Sequence, residues 1–306
     1  MSAMTPGAAA RAASRRAEAL GARLPPLMVQ AERVAATVAQ GVHGRRRVGL
    51  GDSFWQFRPF LAGDPVSRID WRQTGKSDRA FIRETEWEAA QTVCLWRDGS
   101  PSMRWRSRGQ GVEKVERAEL LLLAIAALLL RGGERVRLIA PADTPFGGGG
   151  RAWSGRAGLE ALAETVALLP DEDGLPPQAP VPRHARVLLI GDFLSPLPEV
   201  QRVLSRLAAV PVGGHLLQVL DPAEAMLPYA GRVRFRGLER EGDHLVPRVE
   251  GVRQAYAEVL AAHQAGLAAL CAAAGFGFGV HRTDHPPEAA LLALYTALAG
   301  RGGARG

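Results

Sequence analysis

The chain has 306 residues, of which 47% are hydrophobic and 23% charged, and its formal net charge at pH 7 is +7. This composition is typical of a globular protein with a sizeable core and excludes a disordered chain. A pI near 10.3 raises the question of a nucleic-acid partner, but nearly all basic residues are arginine and only Arg45 to Arg47 form a dense cluster. We therefore favour a solvated basic turn there over a nucleic-acid site.

Residues 1–40 are predicted to form an N-terminal helical segment, because arginines are spread through an alanine-rich sequence. The segment has no apolar block long enough for a signal peptide. The most apolar stretch of the chain, residues 120–130, has eleven residues, whereas a membrane span needs about 20. Cys94 and Cys271 each lie within an apolar run, as buried reduced thiols do. We expect a cytoplasmic protein without a transmembrane segment.

Residues 41–90 are predicted to form a small β-containing segment, because turn signals and alternating aromatic residues replace the helical patterns. In residues 81–88 the alternation of a strand places Glu84, Glu86 and Glu88 on one face. Ion pairs with nearby arginines explain these carboxylates better than a metal site does.

From residue 91 to residue 300, short apolar runs alternate with longer segments whose apolar residues recur every three or four positions. The short runs predict buried strands of a mostly parallel sheet, and the longer segments predict helices on both of its faces. Strands are expected at 91–96, 135–140, 185–191, 214–220 and 275–281. Helices are expected at 115–131, 155–169, 198–210, 252–275 and 288–300. Residues 301–306 are expected to form a disordered tail.

Polar residues follow the first and third of these strands. Asp98, Ser100 and Ser102 come directly after the first strand, and Asp192 follows the third. Right-handed crossovers leave such loops along one edge of a parallel sheet, where open α/β sheets bind ligands. If the two strands are neighbours, the two aspartates converge, and their oxygens with the hydroxyls suit Mg²⁺. A metal-free turn whose hydroxyls cap the following helix explains the same residues, and both interpretations stay open.

The order of a hydrophobic strand, D-x-S-x-S, a helix and a later strand ending in Gly-Asp resembles the metal-ion-dependent adhesion site of von Willebrand factor A domains. The resemblance implies a Rossmann-like α/β fold, a bound metal and a partner carboxylate at its open position. A threonine also binds the metal in that family, and Ser154 is the nearest hydroxyl at the corresponding place here. The implied ligands are Asp98, Ser100, Ser102, Asp192 and Ser154, a set that lacks the threonine.

Nucleophilic catalysis, phosphoryl transfer and zinc binding would each need further residues that the sequence does not place nearby. The serines have no G-x-S-x-G elbow that would mark a nucleophile. Phosphoryl transfer onto Asp98 would need a lysine, and neither Lys76 nor Lys114 lies in a suitable loop. A zinc site in residues 281–285 would lack a further cluster of cysteine or histidine ligands.

Residues 61–103 resemble the bacterial family catalogued as domain of unknown function 58. Its pattern is a Gly-Asp turn, an arginine, Ile-Asp-Trp, a glutamate-rich strand and a hydrophobic strand ending in D-x-S-x-S-M. Residues 217–239 and 281–300 also look like members of this family. The matching motif residues are Gly63, Asp64, Arg68, Ile69, Asp70, Trp71, Glu84, Glu86, Asp98, Ser100, Ser102 and Met103.

This family resemblance implies a von Willebrand A-like protein encoded beside MoxR-type AAA+ ATPases, which helps such ATPases assemble or activate other proteins. It therefore implies a non-enzymatic adaptor whose protein partner is a MoxR-type AAA+ ATPase. Two other functions stay open. One is a metal-dependent phosphate-ester hydrolase using Asp98 and Asp192, and the other is an arginine-rich nucleic-acid binder centred on Arg45 to Arg47.

Overall fold

The structure is a computed structural model that describes residues 26, 29–39, 54–60, 66, 69–75, 79–85, 90–107, 109, 111–141, 151–169, 174–238 and 242–299. The chain divides into two compact units. Residues 41–90 form the small unit, and residues 1–40 together with 91–306 form the large unit. Within the described ranges, none of the helices combines the length and the apolar character that a membrane crossing requires.

The described part of the small unit contains a pair of antiparallel strands. Its elements are β1 (Phe54–Pro59), the short helix α2 (Trp71–Thr74) and β2 (Phe81–Thr85). The Phe81 amide donates a hydrogen bond to the Thr74 hydroxyl over 3.1 Å, and the Asp70 amide donates to the Phe81 carbonyl over 2.9 Å. These bonds tie the connection between the strands to the start of β2, and the β-containing character predicted for this segment is confirmed.

One five-stranded sheet with parallel pairing throughout forms the centre of the large unit. Its strands are β3 (Thr92–Arg97), β4 (Arg135–Leu138), β5 (Arg186–Gly191), β6 (Gly213–Leu220) and β9 (Phe276–Arg282). Their order across the sheet is β4-β3-β5-β6-β9. A separate antiparallel hairpin, β7 (Val233–Arg236) with β8 (Asp243–Val246), lies between β6 and β9 in the chain. Every residue of β5 is buried, which explains why its sequence is continuously apolar instead of alternating.

Helices cover both faces of this sheet. On one face lie α3 (Lys114–Arg131), α4 (Gly155–Ala167) and α8 (Pro287–Ala299), and on the other lie α5 (Leu197–Ala208) and α7 (Arg253–Ala273). The short helix α6 (Pro222–Met226) directly follows β6. The N-terminal helix α1, residues 29–39, buries Ala31, Val34, Ala35 and Val38 on one side, as the spacing of an amphipathic helix requires.

The core has a layer on each side of the sheet. From Leu120 to Leu130 no side chain of α3 is more than 8% exposed, because the helix packs on strands on one side and on α4 and α8 on others. On the opposite face Trp96, Val187 and Leu189 pack against α5 and α7. Burial of each large side chain contributes about 2 kcal/mol, so these two layers supply most of the driving force for folding.

The predicted α/β, Rossmann-like architecture is confirmed. All five strands and all five helices expected between residues 91 and 300 are present, with ends that differ by at most two residues from the expected ones. The β7-β8 hairpin and α6 were not predicted. The expected tail, residues 301–306, lies outside the described residues.

Candidate functional site

Asp98 and Asp192 leave the sheet side by side at its carboxyl edge. Each is the first residue after its strand, and β3 and β5 are adjacent parallel strands in which Arg97 pairs with Ile190. The Asp98 amide continues this ladder by donating to the Ile190 carbonyl over 2.8 Å. The adjacency of the two strands, on which the expected convergence depended, is confirmed.

The loop after β3 turns sharply at Asp98. Asp98 Oδ1 accepts the Ser100 amide over 2.8 Å, and Pro101–Arg104 then form one turn of 3-10 helix. The Ser100 side chain makes no capping hydrogen bond to this turn. Helix α3 is capped instead by Glu113 and Glu116, which form a capping box. The expectation that the serine hydroxyls cap the following helix is therefore wrong.

The two serine hydroxyls form a chain of hydrogen bonds that ends on Asp192. Ser102 Oγ donates to Asp192 Oδ2 over 2.7 Å, and Ser100 Oγ lies 3.0 Å from Ser102 Oγ. A hydroxyl has a single proton, and that of Ser102 is used on Asp192, so Ser100 must be the donor in its contact with Ser102. The chain therefore runs from Ser100 through Ser102 to the carboxylate.

A buried lysine completes this group of residues. Lys114, the first residue of α3, is 0% exposed, and its Nζ donates to Asp192 Oδ2 over 2.9 Å and to Glu224 Oε1 over 2.6 Å. Burial by itself lowers the pKa of Lys114, but attraction to Asp192 and Glu224 outweighs burial, so the pKa lies above its ordinary value of 10.5. Lys114 is thus a fixed positive charge between two carboxylates. We name this group the edge cluster: Asp98, Ser100, Ser102, Lys114, Asp192 and Glu224.

Helix α6 positions Glu224. Asp221 caps the helix by accepting the Ala223 amide over 2.8 Å, and Glu224 Oε2 accepts the Asp221 amide over 2.9 Å. This capping box leaves Oε1 of Glu224 directed at Lys114. Asp221 Oδ2 also accepts the Ser107 amide over 3.0 Å. The segments that follow β3, β5 and β6 are thereby joined into one hydrogen-bonded edge.

The backbone at Asp192 is held from the opposite face of the sheet. Gln218 Nε2 donates to the Asp192 carbonyl over 2.8 Å and is itself bonded to Gln264 of α7 over 3.0 Å between Gln264 Nε2 and Gln218 Oε1. The next residue, Phe193, has a left-handed φ of 47° and packs on Trp96 with ring centroids 5.9 Å apart. Such a conformation persists in a residue other than glycine only where the surroundings enforce it.

Two glycines allow the chain to close around Asp98. A Cβ at Gly191 would lie 2.9 Å from Asp98 Cβ, and a Cβ at Gly174 would lie 3.3 Å from Asp98 Oδ2. Asp98 is 0% exposed, Ser100 1% and Asp192 4%. The polar groups at the carboxyl edge are therefore enclosed beneath the surface.

Ser154 lies at the opposite end of the sheet. Trp153 pairs in antiparallel fashion with Val136, the second residue of β4, which places Ser154 beside the amino end of that strand. Val136 also pairs with Val93 of β3, and Asp98 lies five residues beyond Val93, about 16 Å along the strand. The prediction that Ser154 completes a ligand set with Asp98 is therefore wrong, because the chain that precedes α4 returns along β4 to its starting end.

The residues that do come together fit Mg²⁺ poorly. Asp192 Oδ2 already accepts both the Ser102 hydroxyl and the Lys114 ammonium. A divalent cation bound to that oxygen would face the ammonium charge at close range in a dry interior. Within the part of the chain that the structure describes, no group of three or more histidine, cysteine, aspartate or glutamate side chains is arranged to hold a metal ion. The Asp192 oxygen that a metal would need is therefore already occupied by two donors of this chain.

The zinc site considered and disfavoured in residues 281–285 meets a similar obstacle. Arg117 Nη1 lies 3.1 Å from His281 Nε2, and the same guanidinium donates to the carbonyls of Thr283 and His285 over 2.9 and 2.6 Å. Burial and the charge of Arg117 lower the pKa of His281 to about 4. The neutral ring thus uses Nε2 as an acceptor for Arg117, and that nitrogen is not available to a metal.

The family-motif residues are spread over both units. In the small unit, the Asp70 amide donates to Phe81, Trp71 is 67% exposed, and Glu84 lies opposite Gln56 in the hairpin register. Met103 of the large unit is fully buried beneath the 3-10 turn. The predicted residues outside the described ones are Gly63, Asp64, Arg68, Glu86 and Arg45 to Arg47.

Lys114 and Glu224 are members of the edge cluster that the motifs described above did not predict. Signals for both exist in the sequence. A lysine at the first position of a helix is unfavourable next to the positive end of the helix dipole, so a helix with a long apolar run that begins with a lysine suggests a buried partner. The pattern Asp221-x-x-Glu224 before an alanine is that of a capping box, and it marks a helix start at the edge of the sheet.

Several known proteins are similar to this chain. Uncharacterized protein Rv1480 of Mycobacterium tuberculosis (strain ATCC 25618 / H37Rv) and uncharacterized protein Mb1516 of Mycobacterium bovis are each 25% identical over an alignment of 288 positions, which covers 87% of this chain and 85% of the relative. The conserved hypothetical protein BatB from Bacteroides thetaiotaomicron aligns with 69% of this chain and 100% of its own, with 18% identity and a TM-score of 0.40. An aerotolerance-related membrane protein from Bacteroides fragilis aligns over the same shares, with 16% identity and a TM-score of 0.36.

The family comparison covers more than half of the chain. Residues 56–266 match the model of the family described as "Protein of unknown function DUF58". The match includes the Ile-Asp-Trp block of the small unit and both aspartates of the edge cluster. The chain therefore belongs to the DUF58 family of proteins of unknown function.

Proposed function

We propose that this protein is a non-enzymatic adaptor that binds a protein partner at the carboxyl edge of its sheet, and that the partner is a MoxR-type AAA+ ATPase acting on other proteins. The observation that carries the proposal is a pair of exposed apolar side chains beside the edge cluster. Leu194, two residues after Asp192, is 42% exposed, and Met226, two residues after Glu224, is 47% exposed. Exposed apolar groups at the ligand-binding edge of an α/β sheet favour a protein contact.

The edge cluster gives this surface a rigid support. Ser102 joins the loop after β3 to Asp192, and Lys114 joins Asp192 to Glu224. Buried hydrogen bonds and ion pairs of this kind hold the connected loops in one arrangement. Loops held in this way present a preorganised surface, which lowers the entropic cost of binding.

The assignment of an ATPase as the partner rests on two resemblances. The D-x-S-x-S and Gly-Asp loops resemble an adhesion site, and the Ile-Asp-Trp block resembles the pattern of its family. An adhesion-type edge binds proteins and performs no chemistry, which agrees with an adaptor that brings an ATPase to its target. We place this activity in the cytoplasm, where ATP is available to such a partner.

One observation favours a second candidate, the phosphate-ester hydrolase. Lys114 supplies beside Asp192 the amine that phosphoryl transfer requires and that the sequence pattern lacked. Asp98 and Ser100 are at most 1% exposed, however, so an ester would reach them only after the residues that bury them had moved. A phosphoesterase screen with Mg²⁺ or Mn²⁺ separates the two functions. Turnover that is lost in Asp98→Asn would support the hydrolase and contradict the adaptor proposal. The adaptor proposal predicts no turnover of any phosphate ester.

The direct test is a pull-down of the MoxR-type ATPase from the same organism with the full chain as bait. Leu194→Arg and Met226→Arg place a charge on the proposed surface, and each is expected to weaken capture at least about tenfold, as removal of a central apolar contact does. Leu292→Arg is the matched control, because Leu292 is similarly exposed at 46% but lies on α8. Undiminished capture by both edge variants, or equal loss in the control, would contradict the proposed surface.

A further inference from the structure

We propose that the ammonium group of Lys114 takes the place of a metal ion in the edge cluster, so that this edge is assembled without a divalent cation. A second part, which rests on the proposed function, is that partner binding at the edge is insensitive to chelators. The cluster thus keeps the layout of a metal-dependent adhesion site while carrying its own cation.

Lys114 contacts Asp192, one of the residues implied as metal ligands, together with Glu224. Its Nζ lies 2.9 Å from Asp192 Oδ2 and 2.6 Å from Glu224 Oε1, and the side chain is fully buried. An ammonium group is a compact donor-only cation, and it neutralises carboxylates and fixes their orientation as a metal ion does. Lys114 therefore supplies the positive charge that two buried carboxylates require.

The hydroxyl of Ser102 is oriented for this arrangement. A metal-bound hydroxyl turns its lone pairs toward the ion, at about 2.1 Å for Mg²⁺. Ser102 instead directs its proton at Asp192 Oδ2, the oxygen that also accepts Lys114. The two donors converge on one carboxylate oxygen, which leaves that oxygen saturated and unable to coordinate an ion at the same time.

The position of Lys114 in the fold shows that it is held there against a local cost. As the first residue of α3 it lies next to the positive end of the helix dipole, where a cation is disfavoured. Asp192 after β5 and Glu224 on α6 offset this cost from two separate segments of the chain. Loss of either carboxylate would leave the buried ammonium charge of Lys114 incompletely neutralised.

Metal binding can be measured directly with Mn²⁺, followed by the decrease of its free electron paramagnetic resonance signal. The wild-type chain is expected to show no saturable site below about 1 mM. Lys114→Ala leaves Asp192, Glu224 and Ser102 around an empty position, and it is expected to gain one Mn²⁺ site that is lost again in Lys114→Ala/Asp192→Asn. One Mn²⁺ bound per wild-type chain, and lost in Asp192→Asn, would overturn the proposal.

A second measurement does not depend on any variant. The chain has two lysines, Lys76 and Lys114, so reductive methylation followed by mass spectrometry reports on each separately. Lys114 is expected to stay unmodified in the folded protein with and without EDTA and to react fully in urea, where Lys76 provides the comparison. Reaction of Lys114 that appears only with EDTA would show that a metal holds the site, and it would refute the substitution.

The partner-binding part has a separate readout. If the ATPase is captured equally well with Mg²⁺ and with EDTA, the result supports a metal-free edge. If EDTA abolishes capture, the metal-free edge is refuted. If no ATPase is captured under either condition, the proposed function fails, whereas the Mn²⁺ and methylation results still decide the role of Lys114.

Discussion

Ser102 Oγ donates a hydrogen bond to Asp192 Oδ2 over 2.7 Å and so joins the loops that follow two adjacent parallel strands. The same carboxylate oxygen accepts Lys114, which extends the connection to α3 and, through Glu224, to α6. One buried carboxylate therefore organises three loops and the start of the central helix. Changes at this point are expected to reduce both stability and the order of the edge.

Removal of the Ser102 hydroxyl tests this connection. Ser102→Ala leaves Asp192 without one of its two side-chain donors, and it should lower the free energy of unfolding by about 1–3 kcal/mol. Ser100→Ala removes only a bond between neutral hydroxyls, so its loss should be smaller, about 1 kcal/mol. Urea denaturation of both variants measures the difference. A larger loss for Ser100→Ala than for Ser102→Ala would contradict the direction of the hydrogen-bond chain.

Gly191 tests how closely β5 approaches Asp98. Gly191→Ala would bring a Cβ to 2.9 Å from Asp98 Cβ and 3.3 Å from a ring carbon of Trp96. Asp98 Cβ is fixed to the backbone, so the strand must shift, and the free energy of unfolding should fall by about 1–3 kcal/mol.

Gly251→Ala is the control for this change, because a Cβ at Gly251 meets no atom within 4 Å. The control should be neutral or slightly stabilising through the unfolded state. Thermal denaturation compares the two alanine variants. A Gly191→Ala protein as stable as the wild type would show that β5 can accommodate a Cβ beside Asp98, which would contradict the close approach.

The sheet was predictable from the sequence because its strands are buried on both faces. The apolar run that follows Arg186 in β5 and the three- and four-residue spacing in α5, Leu197–Ala208, are signals that tertiary context does not change. The handedness of crossovers then predicted that the loops after β3 and β5 lie along one edge of the sheet, although the sequence left open whether these two strands are neighbours. These two facts together located Asp98 and Asp192 at one edge.

The partners at that edge were not predictable by the same means. The hairpin Val233–Arg236 with Asp243–Val246 alternates arginines with apolar residues and is largely exposed, so no core pattern marks it. Ser154 was misplaced because sequence order does not show that Trp153 returns along β4. Lys114 was missed because a helix-start lysine is ordinarily solvated, and its burial depends on Glu224, which lies 110 residues away in sequence.

His281 should make stability depend on acidity. Burial and the nearby charge of Arg117 lower its folded-state pKa to about 4, from an ordinary value of 6.5. Between these values the unfolded chain binds more protons, so stability is fully present above pH 6.5 and is lost as the pH falls toward 4. The loss is on the order of 3 kcal/mol for this one group.

His281→Gln is expected to flatten that dependence while keeping an acceptor for Arg117. His285→Gln is the control, because the His285 ring is 57% exposed. Unfolding midpoints in urea measured from pH 4 to pH 7 give the slopes. An unchanged slope in His281→Gln would assign the acid sensitivity to other groups.

Cys94 and Cys271 should be inert in the folded protein. Both are buried free thiols, and burial raises the pKa of Cys94 to about 11 and that of Cys271 to about 12. The nucleophilic thiolate is therefore nearly absent at pH 8. Ellman's reagent should titrate no thiol in the native protein and both thiols in guanidinium chloride. Rapid reaction of either cysteine before denaturation would show that its side of the sheet opens easily.

Replacement of Lys114 by methionine tests the energetic role of the buried ammonium. Lys114→Met leaves Asp192 and Glu224 as uncompensated buried carboxylates, and the free energy of unfolding should fall by about 3–5 kcal/mol. Asp192→Asn and Glu224→Gln each remove one charge from the pair. When either is combined with Lys114→Met, the double variant should be more stable than Lys114→Met alone, because a neutral amide costs less to bury than an unpaired carboxylate. Urea denaturation of the single and double variants gives the coupling free energies. Additive losses, with no recovery in either double variant, would show that Lys114 does not balance the charge of these carboxylates.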